Sequence, residues 1–142
     1  MKISYLLDIL GHSSENVCVN VFYDGSGINL VSVRGPAEQV KNAIAGYENF
    51  AVLRLEVNSD NNFNISINSE DYTSHDPMSN SLHALLDVCL PEQPIKIIIG
   101  EVAISGRAEQ LYEFVNCRYD VAGIRIDKYL AITIKVEESQ DD

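Results

Sequence analysis

The residues of this sequence that could act as nucleophiles or metal ligands are few and far apart. Its three cysteines, Cys18, Cys89 and Cys117, form no CxxC pair, so neither a zinc ribbon nor a redox disulfide is predicted. Cys18 lies in a strand-like run and Cys117 at the end of a helical pattern, where free cysteine behaves as a small hydrophobic residue. We therefore expect buried, reduced thiols.

The histidines offer no metal-binding spacing either. His12, His75 and His83 are scattered, with no HxH or HxxxH pair, so they could converge on an ion only through the fold. His75 stands beside Asp76, and the polarity of an exposed loop explains that pair. We expect no metal ion and no cofactor.

Motifs for nucleophilic attack and phosphate binding are also missing from the sequence. No GxSxG presents a serine, and adjacent carboxylates such as Glu137 and Glu138 are typical of a solvated tail. Gly35 and Gly106 each precede a helical pattern, but a glutamate in the first turn of each helix would repel a phosphate. We interpret both glycines as tight joints between a strand and a helix. The sequence thus predicts no catalytic residue and a protein that is not an enzyme.

The negative charge of the chain excludes some classes of binding partner. Its 142 residues include 21 acidic and 10 basic side chains, for a net charge of −11, and 46% are apolar. That apolar content is too high for a disordered chain, and no run approaches the ~20 apolar residues that cross a bilayer. Phosphate backbones and anionic leaflets both attract basic proteins. We expect a cytoplasmic protein that binds neither nucleic acid nor membranes.

The helices and strands that would position a functional site are predicted to occur twice, because the sequence contains an internal duplication. Residues 31–40, VSVRGPAEQV, match residues 102–111, VAISGRAEQL, at a separation of 71 residues, which is half of the chain. At the same separation residues 50–56, FAVLRLE, fall on residues 121–127, VAGIRID. Identical and like-for-like residues in one register predict a tandem repeat.

Matches outside this stretch require loops of different length. Upstream, residues 6–9, LLDI, resemble residues 85–88, LLDV. Downstream, residues 65–67, ISI, are matched with residues 132–134, ITI, which predicts a second turn that is four residues shorter. Folded repeats tolerate such differences at turns.

The alignment makes Arg54 and Arg125 counterparts, each between apolar neighbours on a strand. One interpretation is a recognition arginine presented twice across a groove. We favour the other, an ion pair with a carboxylate such as Glu38 or Glu109 on the solvent side of the sheet.

Each half begins with a short predicted helix. In the second half Leu82, Leu85, Leu86 and Cys89 follow the i, i+3, i+4, i+7 spacing of one helical face, after Ser81 as a candidate N-cap. The first half repeats this spacing. Alternating apolar residues then predict strands over residues 17–23 and 28–33, and a closing hairpin over residues 51–57 and 63–68.

The second helix of each half is predicted from twin apolar stripes, which are Ala37, Val40 and Ile44, and Ala108, Leu111 and Val115. Pro36 suits the first helical position. The hairpin before this helix is clear in the first half, where residues 24–27 have turn chemistry. In the second half Gly100 and Glu101 form either a minimal turn or part of one bent strand.

The predicted fold class is therefore α+β, a tandem duplication of an αββαββ unit. We expect antiparallel-rich sheets with helices packed on one face and a pseudo-twofold relation between the halves. Residues 1–142 would form a single compact domain built from repeats of approximately residues 1–70 and 71–142, with residues 69–80 as the linker.

A compact acidic domain without catalytic motifs is similar in kind to bacterial immunity proteins, which occupy a toxin through an acidic face. That likeness implies a basic protein partner, such as a toxin. Acidic residues near aromatic side chains are the candidate partner-binding residues. They are Tyr23, Asp24, Asp60, Glu70, Asp71, Tyr72 and Asp76.

Two other functions stay open. A DNA mimic would block a nucleic-acid enzyme with rows of carboxylates, although the acidic residues here are dispersed through both halves. A small enzyme or ligand-binding protein would use a cleft between the duplicated halves.

Overall fold

The computed structural model describes residues 1–11, 16–22, 29–44, 46, 50–68, 80–115 and 118–138. Within them the chain forms four helices and eight strands, in the order helix, strand, strand, helix, strand, strand, repeated once. The first half contains α1 (Ile3–Gly11), β1 (Asn16–Phe22), β2 (Asn29–Pro36), α2 (Ala37–Ala43), β3 (Val52–Val57) and β4 (Phe63–Asn68). The second half contains α3 (Leu82–Val88), β5 (Pro94–Ile99), β6 (Val102–Arg107), α4 (Ala108–Phe114), β7 (Tyr119–Ile126) and β8 (Ile132–Glu138). The predicted duplicated α+β unit is confirmed. None of the helices described is long and apolar enough to span a membrane.

Each half has its own four-stranded mixed sheet, and the two sheets share one topology. The strand order is β2-β1-β4-β3 in the first sheet and β6-β5-β8-β7 in the second. The outer pairs of strands are antiparallel, whereas the central pair, β1 with β4 or β5 with β8, is parallel. The sheets are thus rich in antiparallel pairs, as predicted, around one parallel pair each.

Alternation along the strands turns one face of each sheet towards the helices. Val17, Val19 and Val21 of β1 are buried, as are Ile95 and Ile97 of β5. The predicted helical stripes are buried with them. They are Ile3, Leu6, Leu7, Leu10, Ala37, Val40 and Ile44 in the first half, and Leu82, Leu85, Leu86, Cys89, Ala108, Leu111 and Val115 in the second. The opposite side of each sheet, which we call its outer face, carries the intervening residues.

The strand-to-helix joints explain both glycines. Gly35 has φ of 147°, a conformation that side chains other than glycine rarely adopt. At Gly106 an added Cβ would lie 3.3 Å from Leu111 Cδ2, so the helix could not pack as closely. Pro36 was predicted at the first helical position, but it ends β2 with an extended backbone, and α2 begins one residue later, at Ala37.

Two other local predictions are settled by the structure. Ser81 caps α3, because its hydroxyl accepts a hydrogen bond of 3.1 Å from the Ala84 backbone N–H. The turn between β5 and β6 is the minimal one, with Gly100 at φ of 59°. The predicted turn at residues 24–27 lies outside the described residues, as does the predicted linker except for Asn80.

The pairing of strands corrects the repeat alignment in the closing hairpins. Leu55 pairs with Ile65 in the first sheet, and Ile124 pairs with Ile134 in the second. Every residue of these hairpins therefore has its counterpart 69 residues further on, and the predicted separation of 71 residues is wrong there. The predicted shortening of the second turn is also wrong, because the two turns have equal length.

The two hairpin turns are alike down to their hydrogen bonds. Asn58 Oδ1 accepts the backbone N–H groups of residues 60 and 62 at 3.0 and 3.1 Å. Asp127 Oδ1 accepts those of residues 129 and 131 at 2.7 and 3.0 Å. Asn61 and Leu130 occupy the same place with φ of 64° and 63°. Asn and Asp side chains commonly stabilise turns in this way, by accepting hydrogen bonds from the backbone of the following residues.

The halves meet through helices and edge strands. Helix α1 packs against β7 of the other half, and α3 packs against β3. These two contacts are equivalent under exchange of the halves, as a twofold relation requires. An isolated parallel bridge joins Leu55 to Cys89, and the Tyr5 hydroxyl donates a hydrogen bond of 2.7 Å to the Val121 carbonyl. The sheets themselves stay separate.

Candidate functional site

Of the predicted partner-binding residues, the structure describes Asp60. It lies exposed in the turn between β3 and β4. Tyr23, Asp24, Glu70, Asp71, Tyr72 and Asp76 lie outside the described residues. Asp60 borders a polar cleft of about 460 Å³ on the outer face of the first sheet. The cleft is lined by amide side chains such as Asn58 and Asn64 together with Arg34, so Asp60 shares the cleft with a cation.

A different surface combines acidic and aromatic side chains. Along α4 the exposed residues Glu109, Tyr112 and Glu113 share one face, because they are spaced at i, i+3 and i+4. Phe114 follows at the end of the helix with 78% of its surface exposed, and Tyr112 is 44% exposed. With Asp87 of α3, Glu109, Tyr112 and Glu113 form what we call the α3–α4 surface, and Phe114 borders it at the end of α4. The buried stripe of α4 is made by other residues, so this aromatic exposure is not needed for the core.

The position of Tyr112 is fixed by α3. His83 Nε2 lies 2.9 Å from the Tyr112 carbonyl oxygen, within hydrogen-bond distance. The two rings meet edge to face, with centroids 4.8 Å apart. Asp87 is exposed one turn further along α3 from His83. A rigid aromatic side chain beside a carboxylate loses little entropy when a partner binds.

Comparison of the repeats shows how the negative charge of this surface arises. In the first half Asp8 of α1 forms an ion pair with Lys41 of α2. Their counterparts in the second half are Asp87 and Tyr112, so a tyrosine stands where the first half has the cation. Among the ion pairs of the described residues none includes Asp87. Glu109 is partly neutralised by Arg107, at 3.2 Å.

The corrected register separates Arg54 from Arg125. The counterpart of Arg54 is Gly123 and that of Arg125 is Glu56, so a recognition arginine presented twice is ruled out. Arg54 does form an ion pair on the solvent side, but with Glu56 at 3.3 Å rather than with a helix carboxylate. The interpretation of Arg54 as a charge-paired strand residue is confirmed, and its predicted partners were wrong.

Among the described residues, the cysteines lie in the protein interior and the histidine, His83, packs against Tyr112. Cys18 and Cys89 are buried and free, as expected, and burial raises the pKa of the Cys89 thiol to about 12. Cys117, His12 and His75 lie outside the described residues. In the part of the chain that the structure describes, no three His, Cys, Asp or Glu side chains are grouped to hold a metal ion.

Comparisons with known proteins gave no matching family model, no significantly similar curated protein and no significantly similar solved structure.

Proposed function

We propose that this chain is a protein-binding module that occupies a basic protein partner through the α3–α4 surface, in the way immunity proteins occupy toxins. The observation that carries the proposal is the exposure of Tyr112 on the helix face that carries Glu109 and Glu113, next to Asp87 of α3, with the exposed ring of Phe114 at the end of the same helix. Aromatic residues dominate the binding energy of many interfaces. Carboxylates around them give speed and selectivity towards a basic partner.

The difference between the repeats supports a functional role for this surface. At the positions of Tyr112, Glu113 and Phe114 the first half has residues 41–43, Lys, Asn and Ala. Both helices keep the same buried stripe, so the fold places no demand on these three positions. A repeat that needed only to fold could carry the residues of the first half in both copies.

The charge of the whole chain supports the same type of partner. A net charge of −11 creates a negative potential that accelerates association with basic proteins and weakens as salt is added. The Glu109–Arg107 pair leaves Asp87 and Glu113 as the main charges of the surface. Their effect should therefore be strongest on the rate of association.

The test is affinity capture from cells of the chain's own host, followed by binding kinetics with the captured protein. We expect a basic protein whose association slows with added salt. Glu113→Lys should slow its association, and Phe114→Ala should speed its dissociation by about tenfold or more. Glu38→Lys on α2 is the control, because it changes the net charge equally on an exposed helix of the first half.

Two outcomes would reject the α3–α4 surface as the binding site. One is equal slowing by Glu113→Lys and Glu38→Lys, which would mean that only net charge matters. The other is capture of a nucleic-acid enzyme that is insensitive to Phe114→Ala, which would favour DNA mimicry instead.

A further inference from the structure

Three basic side chains lie on the outer face of the second sheet of this acidic protein, and Asp120 of β7 and Glu137 of β8 form the next outward-facing pair beyond them. Lys96 of β5 and Arg125 of β7 flank Thr133 of β8 in one row of paired residues. Lys135 lies two residues further along β8, on the same face. All three basic side chains are exposed. The ion pairs found among the described residues include none of them.

A cleft of about 400 Å³ opens beside these side chains. Arg125, Thr133 and Lys135 line it from the second sheet. Ile9 lines it from α1, which belongs to the first half. Ile98 and Ile124 add further apolar wall. The cleft therefore joins two cations to an apolar pocket where the halves meet.

Gly123 makes room for this cleft. It pairs with Lys135 directly after an irregularity in β7, and a Cβ added there would meet only Lys135 Cβ, at an ordinary 3.7 Å. In the first sheet the same position holds Arg54, paired with Glu56. At this position the outer face of the first sheet therefore has an arginine that is paired with a carboxylate. The second sheet has open space there, bordered by Arg125 and Lys135, which none of the ion pairs of the described residues includes.

We propose that this cleft binds a small amphipathic anion, with a carboxylate or phosphate head group between Arg125 and Lys135 and an apolar body against Ile9 and Ile98. Arginine and lysine recognise such head groups by charge-assisted hydrogen bonds. The volume is that of a small-molecule site. A polyanion such as nucleic acid would extend beyond the cleft into the field of a chain with net charge −11. This inference does not rest on the proposed protein-binding function.

The probe for the test is 8-anilinonaphthalene-1-sulfonate, an amphipathic anion whose fluorescence rises in apolar surroundings. We expect saturable binding at one site. Octanoate or octyl phosphate should displace the probe, and the stronger of the two identifies the head group. Octanol, which lacks the charge, should displace it at least about tenfold less well. Equal displacement by octanol would overturn the proposal.

Variants locate the site. Arg125→Gln and Lys135→Gln should each weaken probe binding about tenfold, and Gly123→Leu should abolish it by filling the cleft. Lys128→Gln, on the turn of the same hairpin, is the control and should leave binding unchanged. Because the probe also binds partly unfolded protein, each variant must keep the near-ultraviolet circular dichroism of the parent. Probe binding that persists in folded Gly123→Leu and folded Arg125→Gln would refute the site.

Discussion

Gly123 in the second sheet occupies the position that Arg54 occupies in the first. Arg54 pairs with Ser66 and Gly123 with Lys135, each directly after an irregularity in the strand. The backbone of the repeat, including this irregularity, is therefore retained while the chemistry of the outer face differs. The two halves share a core and a topology, and they differ in the side chain at this position of the outer face.

The matched turns provide a reciprocal test of the duplication. Leu130 has φ of 63°, where a residue other than Gly, Asn or Asp is strained, whereas its counterpart Asn61 tolerates φ of 64°. Leu130→Asn should raise the free energy of unfolding by about 1 kcal/mol, and Asn61→Leu should lower it by about as much. Urea denaturation of both variants measures this. Changes of the same sign in both would show that the turns are not equivalent.

The elements of the fold could be predicted from local pattern, but the register of the last hairpins could not. A slip of two residues leaves every side chain on the same face of a strand, so the apolar pattern matched equally well at the wrong separation. The shared arginine of LRLE and GIRID then favoured the wrong choice. The signal that would have corrected it was Asn58 and Asp127, the residues that hold the two equivalent turns.

The α3–α4 surface does not include any of the partner-binding residues predicted from the sequence. The sequence predicts a binding surface of acidic and aromatic residues in loops, and of these residues the structure describes Asp60, which borders a polar cleft with Arg34. The signal for the α3–α4 surface was present in the sequence, because Tyr112 and Phe114 lie off the predicted stripe of Ala108, Leu111 and Val115. The cationic cleft depends on the register of β7 and on a contact between halves, and neither follows from local pattern.

The hydrogen bond from Tyr5 to Val121 should contribute to the stability of the joined halves. Burial, with smaller contributions from the charges of Asp120 and Glu137, raises the pKa of Tyr5 above its usual value of 10.0. Tyr5→Phe should lower the free energy of unfolding at pH 7 by about 1 kcal/mol. Tyr129→Phe is the control, because Tyr129 is 75% exposed.

The same tyrosine predicts a loss of stability at alkaline pH. Above pH 10 the unfolded chain releases the Tyr5 proton while the native protein retains it, so unfolding becomes easier as the pH rises through the native pKa. Below pH 10 the contribution is complete. Urea denaturation at pH 7, 9 and 10.5 should show the stability difference between the parent and Tyr5→Phe shrinking at the highest pH. A difference that is constant across this range would contradict the pKa assignment.

Cys89 should resist alkylation in the native protein. Its Sγ donates to the Leu85 carbonyl at 3.3 Å, and burial raises its pKa from 9.0 to about 12, so little thiolate forms at pH 8. Iodoacetamide labelling followed by peptide mass spectrometry should modify Cys89 only as fast as the protein unfolds. Labelling of Cys89 in native protein as rapid as in urea would show that the thiol is accessible.

Tyr112→Lys separates the contribution of this position to folding from its contribution to binding. The substitution places in α4 the residue that the first half has at Lys41, where it pairs with Asp8, and it gives Asp87 a nearby cation. Since exposed ion pairs stabilise little, the free energy of unfolding should change by less than about 1 kcal/mol. Association with the captured basic partner should slow severalfold, because an aromatic contact is lost and a negative charge is neutralised. Unchanged association kinetics, measured by surface plasmon resonance at two salt concentrations, would place the binding surface elsewhere on the molecule.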